Sequence, residues 1–167
     1  EYWPATPSGI DNNRGRLKLV EDGTGVRQYE YGPFGEIIKD TRTIIAPERP
    51  NQTFIHEFSY DTWNRIQSMT YPGGEVLNYS YDWGGNLKSM HSPSLNQSYI
   101  SEIGYDEFEQ KVFCKYGNNT THHYSYTAEL RRLNNMTAIS SSSNEMFNNT
   151  YGFDYIGNII SIENMAN

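Results

Sequence analysis

Tyr79-Ser80-Tyr81-Asp82-Trp83-Gly84-Gly85-Asn86-Leu87 reads as a complete β-hairpin. In a strand, residues two apart share a face, so Tyr79 and Tyr81 point the same way. Asp82 suits the start of a turn, because its carboxylate accepts hydrogen bonds from nearby backbone N–H groups. Gly85 suits the left-handed position that closes a three-residue loop with a bulge. If Asp82 pairs with Asn86, then Tyr81 lies opposite Leu87. Such an aromatic–aliphatic cross-strand pair contributes roughly 0.2–1 kcal/mol.

The pattern recurs along the chain, in residues 29–37, 58–66, 79–87, 103–112, 124–133 and 151–159. The second aromatics of these copies are Tyr31, Tyr60, Tyr81, Tyr105, Tyr126 and Phe153. A weaker seventh copy runs from Ile10 to Leu17, with Asp11 and Gly15 in its turn. The place of Gly85 is taken by Gly35, Asn64 and Gly157, all residues that tolerate a left-handed backbone. Two copies have Glu109 and Leu130 there instead, and their aliphatic residue arrives one place later, at Val112 and Leu133. A four-residue loop in both would restore the pairing, which a one-residue slip would turn to the other face.

The opposite ends of the hairpins carry their own turn signals. Gly73-Gly74 predicts a two-residue turn that sets Ile66 opposite Tyr81, and Asp22–Gly25 and 117–119 hold equivalent places. Residues 46–51, 91–97 and 140–149 read as longer polar loops. The expected fold is all-β, an antiparallel meander of consecutive hairpins with about twelve strands, twisted or curved. It is expected to form a single repeat segment over residues 1–167.

These residues resemble the YD-repeat, or Rhs-repeat, family, whose pattern is roughly Tyr-x-Tyr-Asp-x-x-Gly-Arg/Asn-Leu. Residues 79–87 match it throughout, with Tyr81, Asp82 and Gly85 as the signature. Residues 151–159 match through Phe153, Asp154 and Gly157, and residues 58–66 through Tyr60 and Asp61. Tyr105 with Asp106, and Tyr126 alone, carry degenerate copies, and Gly32 and Thr127 stand where Asp is usual. The resemblance implies a strip of β-hairpins that spirals into a hollow shell. In bacterial toxins of this kind such a shell encloses a C-terminal toxic domain. Related bacterial wall proteins and animal teneurins carry the repeats at the cell surface. Secretion or surface exposure is therefore expected, with the rest of a parent shell and an enclosed domain as partners. Gly32-Pro33-Phe34-Gly35 approaches the Asp-Pro-x-Gly self-cleavage motif of toxin-bearing members but lacks its Asp, so no autoproteolysis is assigned.

The composition narrows the functional classes. A formal net charge of −7 repels phosphate backbones, so nucleic acid is not an expected partner. The apolar runs are too short for a membrane span or leader, and the start at Glu1 without Met fits a fragment. The single cysteine, Cys114, excludes an internal disulfide and reads as a small buried hydrophobe. His56, His91, His122 and His123 have no nucleophile elbow or carboxylate at catalytic spacing. His122 and His123 should face opposite sides of a strand, so no joint metal site is expected, nor any cofactor. The chain is not expected to be an enzyme.

The best binding candidates are the aromatics at the hairpin tips, Phe34, Trp63, Trp83, Phe108 and Tyr155. Exposed rings offer an apolar body and a polar edge, suited to stacking on sugars. An adhesion module for cell-surface glycans is therefore the alternative function. The Asn-x-Ser/Thr sequons at Asn51, Asn78, Asn96, Asn118, Asn119, Asn135 and Asn148 are read as a product of composition. A strip also leaves two strand edges bare, so in isolation it is expected to pair edge to edge or through its aromatic face as a homodimer.

Overall fold

The computed structural model describes residues 1, 2 and 13–166. They form an all-β antiparallel meander in which strand order follows sequence order. The strands are β1 (Leu19–Asp22), β2 (Gly25–Tyr31), β3 (Ile37–Ile44), β4 (Gln52–Tyr60), β5 (Ile66–Thr70), β6 (Val76–Tyr81) and β7 (Leu87–Ser92). They continue as β8 (Gln97–Tyr105), β9 (Lys111–Tyr116), β10 (Thr121–Tyr126), β11 (Leu133–Ile139), β12 (Glu145–Phe153) and β13 (Ile159–Asn164). That is thirteen strands where about twelve were expected. The chain forms two compact units, Glu1–Asn78 with Pro93–Leu95, and Tyr79–Ser92 with Asn96–Asn167.

One turn geometry closes most hairpins. In the first unit, Asp61 N donates to Arg65 O at 2.9 Å and Asn64 N donates to Asp61 O at 3.0 Å, with Asn64 left-handed at φ 60°. Residues 32–36 and 71–75 repeat the pattern. In the second unit it recurs at 82–86, 106–110, 116–120, 140–144 and 154–158. The register then sets Tyr31 opposite Ile37, Tyr60 opposite Ile66 and Phe153 opposite Ile159, each beside a bulge. The fifth repeat has the expected four-residue loop, with Arg131 left-handed and Tyr126 opposite Leu133.

Three expectations are corrected. Glu109 adopts the left-handed conformation itself, at φ 60°, so the fourth repeat keeps a three-residue loop. Tyr105 therefore faces Lys111 and not Val112. The Gly73-Gly74 turn is not a two-residue turn. Only Gly74 is left-handed there, at φ 84°, and Tyr71 N bonds Glu75 O, so Pro72 joins the loop. Ser68 consequently pairs with Asn78, one residue away from the expected register. The loops in the polar stretches 91–97 and 140–149 are shorter than expected, since β7 runs to Ser92, β8 starts at Gln97 and β12 starts at Glu145. Ser140 and Asn144 close a turn of the common type, and Ser143 takes the left-handed place. Ile10 and Asp11 of the weak seventh copy lie outside the described residues, but Gly15 is left-handed and Arg16 N bonds Asn13 O at 2.9 Å.

Each unit has one hydroxyl-rich face. Thr43 and Thr53 bond across strands at 3.0 Å in the first unit, as do Ser59 and Ser68 at 2.6 Å. Ser80 and Ser89 do the same at 2.6 Å in the second. The opposite face of the second unit carries its core as one transverse row. Ile103 pairs with Cys114, Cys114 with His122, His122 with Ala138 and Ala138 with Phe147. Ile103, Cys114 and Ala138 are buried, as was expected of Cys114. His122 joins this row while His123 is exposed, so the two do face opposite sides.

Candidate functional site

The chemistry of the chain is concentrated at the hairpin tips, and the turn aspartates organise it. Asp61 Oδ1 accepts the backbone N–H groups of Trp63 and Arg65, both at 2.9 Å, and its Oδ2 accepts Arg65 Nε at 2.7 Å. Asp106 Oδ1 accepts Phe108 N and Gln110 N at 2.9 Å. Asp154 Oδ1 accepts Ile156 N at 3.1 Å and Asn158 N at 2.8 Å. Asp82 Oδ1 accepts Asn86 N at 2.8 Å. A carboxylate that accepts several donors is easier to keep ionised. The Arg65 N–H thus holds Asp61 below its ordinary value, and the Asn158 side-chain amide does so for Asp154. These carboxylates are occupied by their own turns, Asp106 also by Arg131, and none of them is paired with another.

Tips that lack the aspartate replace it. In the first hairpin, Glu36 reaches back and accepts Phe34 N at 2.8 Å, in the space left by the missing side chain of Gly32. In the fifth, Thr127 Oγ1 accepts Arg132 N at 3.1 Å. Gly32–Gly35 therefore belongs to an ordinary hairpin turn.

The second aromatic of a repeat ties it to the hairpin before it. Tyr31 OH donates to Leu17 O at 2.7 Å and Tyr60 OH to Ile37 O at 2.8 Å. In the second unit Tyr105 OH donates to Leu87 O at 3.0 Å and Tyr126 OH to Lys111 O at 2.9 Å. Burial raises the pKa of each of these four phenols, which keeps the donor protonated. Phe153 holds the same place without a hydroxyl.

Arginines join the tips in a second layer. Arg16 Nη1 donates to Gly35 O at 3.1 Å. Arg131 Nη2 bonds the Asp106 carboxylate, and its guanidinium lies 4.1 Å from the Phe108 ring centre. Its neighbour Arg132 reaches the other way, to Asp154 O at 2.6 Å and Tyr155 O at 3.2 Å. Adjacent residues of one loop thus hold both flanking tips. The sequence reading passed over these arginines. Their recurrence at or just after the left-handed turn residue was the available signal.

The candidate tip aromatics are all exposed, with Trp83 and Tyr155 at 101% and 96%. Arg65 covers Trp63 at 4.6 Å and Arg131 covers Phe108, so these rings have a face occupied within the chain. Asn135 and Asn148, two of the sequon residues, spend their side chains on each other at 2.7 Å. Among the described residues no group of three or more His, Cys, Asp or Glu side chains could hold a metal. No helix among them is long and apolar enough to cross a membrane.

The fold is a strip of consecutive antiparallel hairpins, consistent with a YD-repeat strip, and solved structures share it. The chain superposes on the TcdB2–TccC3–Cdc42 crystal structure with a TM-score of 0.81 and 21% identity, over 93% of this chain and 8% of that one. The Photorhabdus luminescens Tc holotoxin pore, with a substitution in TccC3, gives 0.79 and 20% over the same shares. TcdB2–TccC3 without its hypervariable C-terminal region gives 0.80 and 20%, over 92% of this chain. These are Rhs/YD-repeat proteins. The chain spans about a twelfth of their length. No family model matches the chain, and no curated protein matches it.

Proposed function

We propose that this chain is a non-catalytic scaffold, one continuous run of YD repeats from the shell of a secreted or cell-surface protein. The shell encloses or presents another domain of the parent polypeptide. The observation that carries this reading is the superposition over 93% of the chain on 8% of a Tc toxin chain. The tip chemistry supports it, because the carboxylates are consumed in closing the turns and the phenols and guanidiniums in joining one hairpin to the next. Its partners are the neighbouring repeats and the enclosed domain, and no cofactor is needed. Limited proteolysis of the full parent protein, read by mass spectrometry, tests it. Protection of a separate domain only while the repeats are intact is the expected result. Cleavage of that domain at the rate of a free linker would exclude enclosure.

A second reading is an adhesion module for glycans, favoured by the full exposure of Trp83 and Tyr155. Trp83→Ala and Tyr155→Ala should then abolish binding to a glycan array without changing the melting temperature. An intact protein that binds no glycan ends this reading.

A further inference from the structure

In the first unit, the face opposite the hydroxyl-rich one changes character along its strands. Toward the aspartate turns it is apolar, with Phe58 opposite Met69 and Tyr60 opposite Ile66. Toward the other end it turns polar. Val20, Arg27 and Arg42 form one transverse row, and Tyr29, Asp40 and His56 form the next. Residues two apart share a face, so both rows point the same way. With Asp22 they line a groove of about 480 Å³, a volume that suits a small molecule.

The groove holds both signs of charge in balance. Arg27 Nε donates to Asp40 Oδ1 at 2.9 Å, and its Nη2 donates to Oδ2. Arg42 Nη2 donates to Thr24 Oγ1 at 2.6 Å and lies 3.5 Å from Asp22 Oδ1. That Asp22 oxygen also accepts Thr24 N at 2.8 Å. Arg27 and Arg42 stand directly opposite one another, and like charges so placed are unfavourable without flanking carboxylates. What the ion pairs leave over is a set of donors. Among the described residues Arg27 Nη1, Arg42 Nε and Arg42 Nη1 have no hydrogen-bond partner, and neither has either ring nitrogen of His56. At the hairpin tips, by contrast, guanidiniums are spent on carbonyls and carboxylates.

This inventory selects the ligand. An anion would have to sit beside the two carboxylates that already hold the guanidiniums. An ammonium group would find those carboxylates occupied and two guanidiniums next to them. A neutral, hydroxyl-rich molecule breaks no ion pair. Its oxygens accept the remaining guanidinium N–H groups, and His56 can donate to or accept from a further hydroxyl. Its C–H face lies against Val20 and Tyr29, an apolar side chain and an aromatic ring. We propose that the groove formed by β1 to β4 binds a neutral sugar ring. The site uses none of the tip aromatics, so it stands whether or not those bind glycans, and it goes beyond the scaffold reading.

Nuclear magnetic resonance of the full chain tests this, with methyl glucoside, methyl galactoside and methyl mannoside added in turn. At least one should shift the side-chain N–H signals of Arg27 and Arg42 and the ring signals of His56, and should saturate in the millimolar range. Arg42→Gln should weaken that binding about tenfold, the effect of losing hydrogen bonds from a charged donor. His56→Phe keeps an aromatic ring without its nitrogens and should weaken it about fivefold, the effect of one neutral hydrogen bond. Trp83→Ala should leave it unchanged. The backbone amide signals of β2 to β4 show whether each variant folds, and if Arg42→Gln does not, His56→Phe decides. No saturable shift with any of the three sugars up to their solubility limits overturns the proposal. Unchanged affinity in a folded Arg42→Gln or His56→Phe chain does so too, as does loss of binding in Trp83→Ala. Tighter binding of inorganic phosphate or of glycine at the same three residues also overturns it, because the groove would then read charge. None of these results bears on the proteolysis experiment, so the two readings fail separately.

Discussion

A single hydroxyl separates the tyrosine repeats from the phenylalanine repeat, and its energetic effect can be measured. Tyr60→Phe removes the bond to Ile37 O and should cost about 0.5–1.5 kcal/mol in urea unfolding, the usual net worth of such a bond. Phe153→Tyr restores the hydroxyl beside β11 and should raise stability by a similar amount. No change in either midpoint would mean that these phenols merely fill space. His122 is the residue whose charge bears most directly on the core row. Its ring packs edge-on against Tyr116, Tyr124 and Phe147, at 4.9, 6.4 and 5.6 Å, and its Nδ1 is buried without a partner. Burial, and secondarily Lys111, push its pKa below 6.5. The unfolded chain therefore takes up the proton first. Stability from this group is full above about pH 6.5 and falls as the pH drops toward the folded value. His122→Phe should flatten that part of the pH profile. Asp61 and Asp154, also lowered, act in a separate window. Their contribution is complete above about pH 3.8 and is lost on further acidification.

At the scale of the hairpin, the turn geometry tolerates non-ideal residues at a cost. Glu109 holds a left-handed φ of 60°, which disfavours an L residue with a long side chain by roughly 1 kcal/mol. Glu109→Asn keeps the loop and should stabilise the chain by about 0.5–1 kcal/mol, since Asn visits that region readily. An unchanged melting temperature would show that the loop relaxes without strain. Glu109 also marks where sequence reading ran out. Tyr79–Leu87 disclosed the strand–turn–strand unit because aromatic spacing, Asp and Gly all agree there. At residues 106–110 the local preference and the register conflict, and neighbouring hairpins decide. Gln110 Nε2 bonds Arg131 O at 2.8 Å, and Arg131 grips Asp106, so the three-residue loop is held from outside. Contacts of that kind lie more than twenty residues apart in sequence and have no local signature. The exposed tip aromatics were legible as candidates, but not the guanidiniums over Trp63 and Phe108. Arg131→Ala should therefore speed amide exchange at Phe108 and Gln110, in a hairpin more than twenty residues away in sequence. Arg132→Ala should do so instead at Ile156 and Asn158.

Over the whole molecule, each strand depends on its immediate neighbours, so stability approximates a sum of hairpin terms and adjacent-pair terms. Among the described residues the buried apolar ones are few, Leu77 in the first unit and Ile103, Cys114 and Ala138 in the second. A lesion should then act locally and not collapse the entire chain. Gly117 offers a clean lesion, because a Cβ there would run into the backbone carbonyl of Ser98, and its N–H bonds Tyr99 O at 3.0 Å. Backbone cannot step aside as a flexible side chain can, so Gly117→Ala must push β8 and β9 apart. The expected outcome is loss of exchange protection in β8, β9 and β10, with the β2–β3–β4 amides exchanging as before. Cys114→Ser, which places a hydroxyl in the buried row, should act in the same region and cost about 1–3 kcal/mol. If either substitution instead lowers protection uniformly from β2 to β12, the repeats fold as one cooperative body. The nearest-neighbour account would then have to be replaced by one in which distant hairpins share a common core.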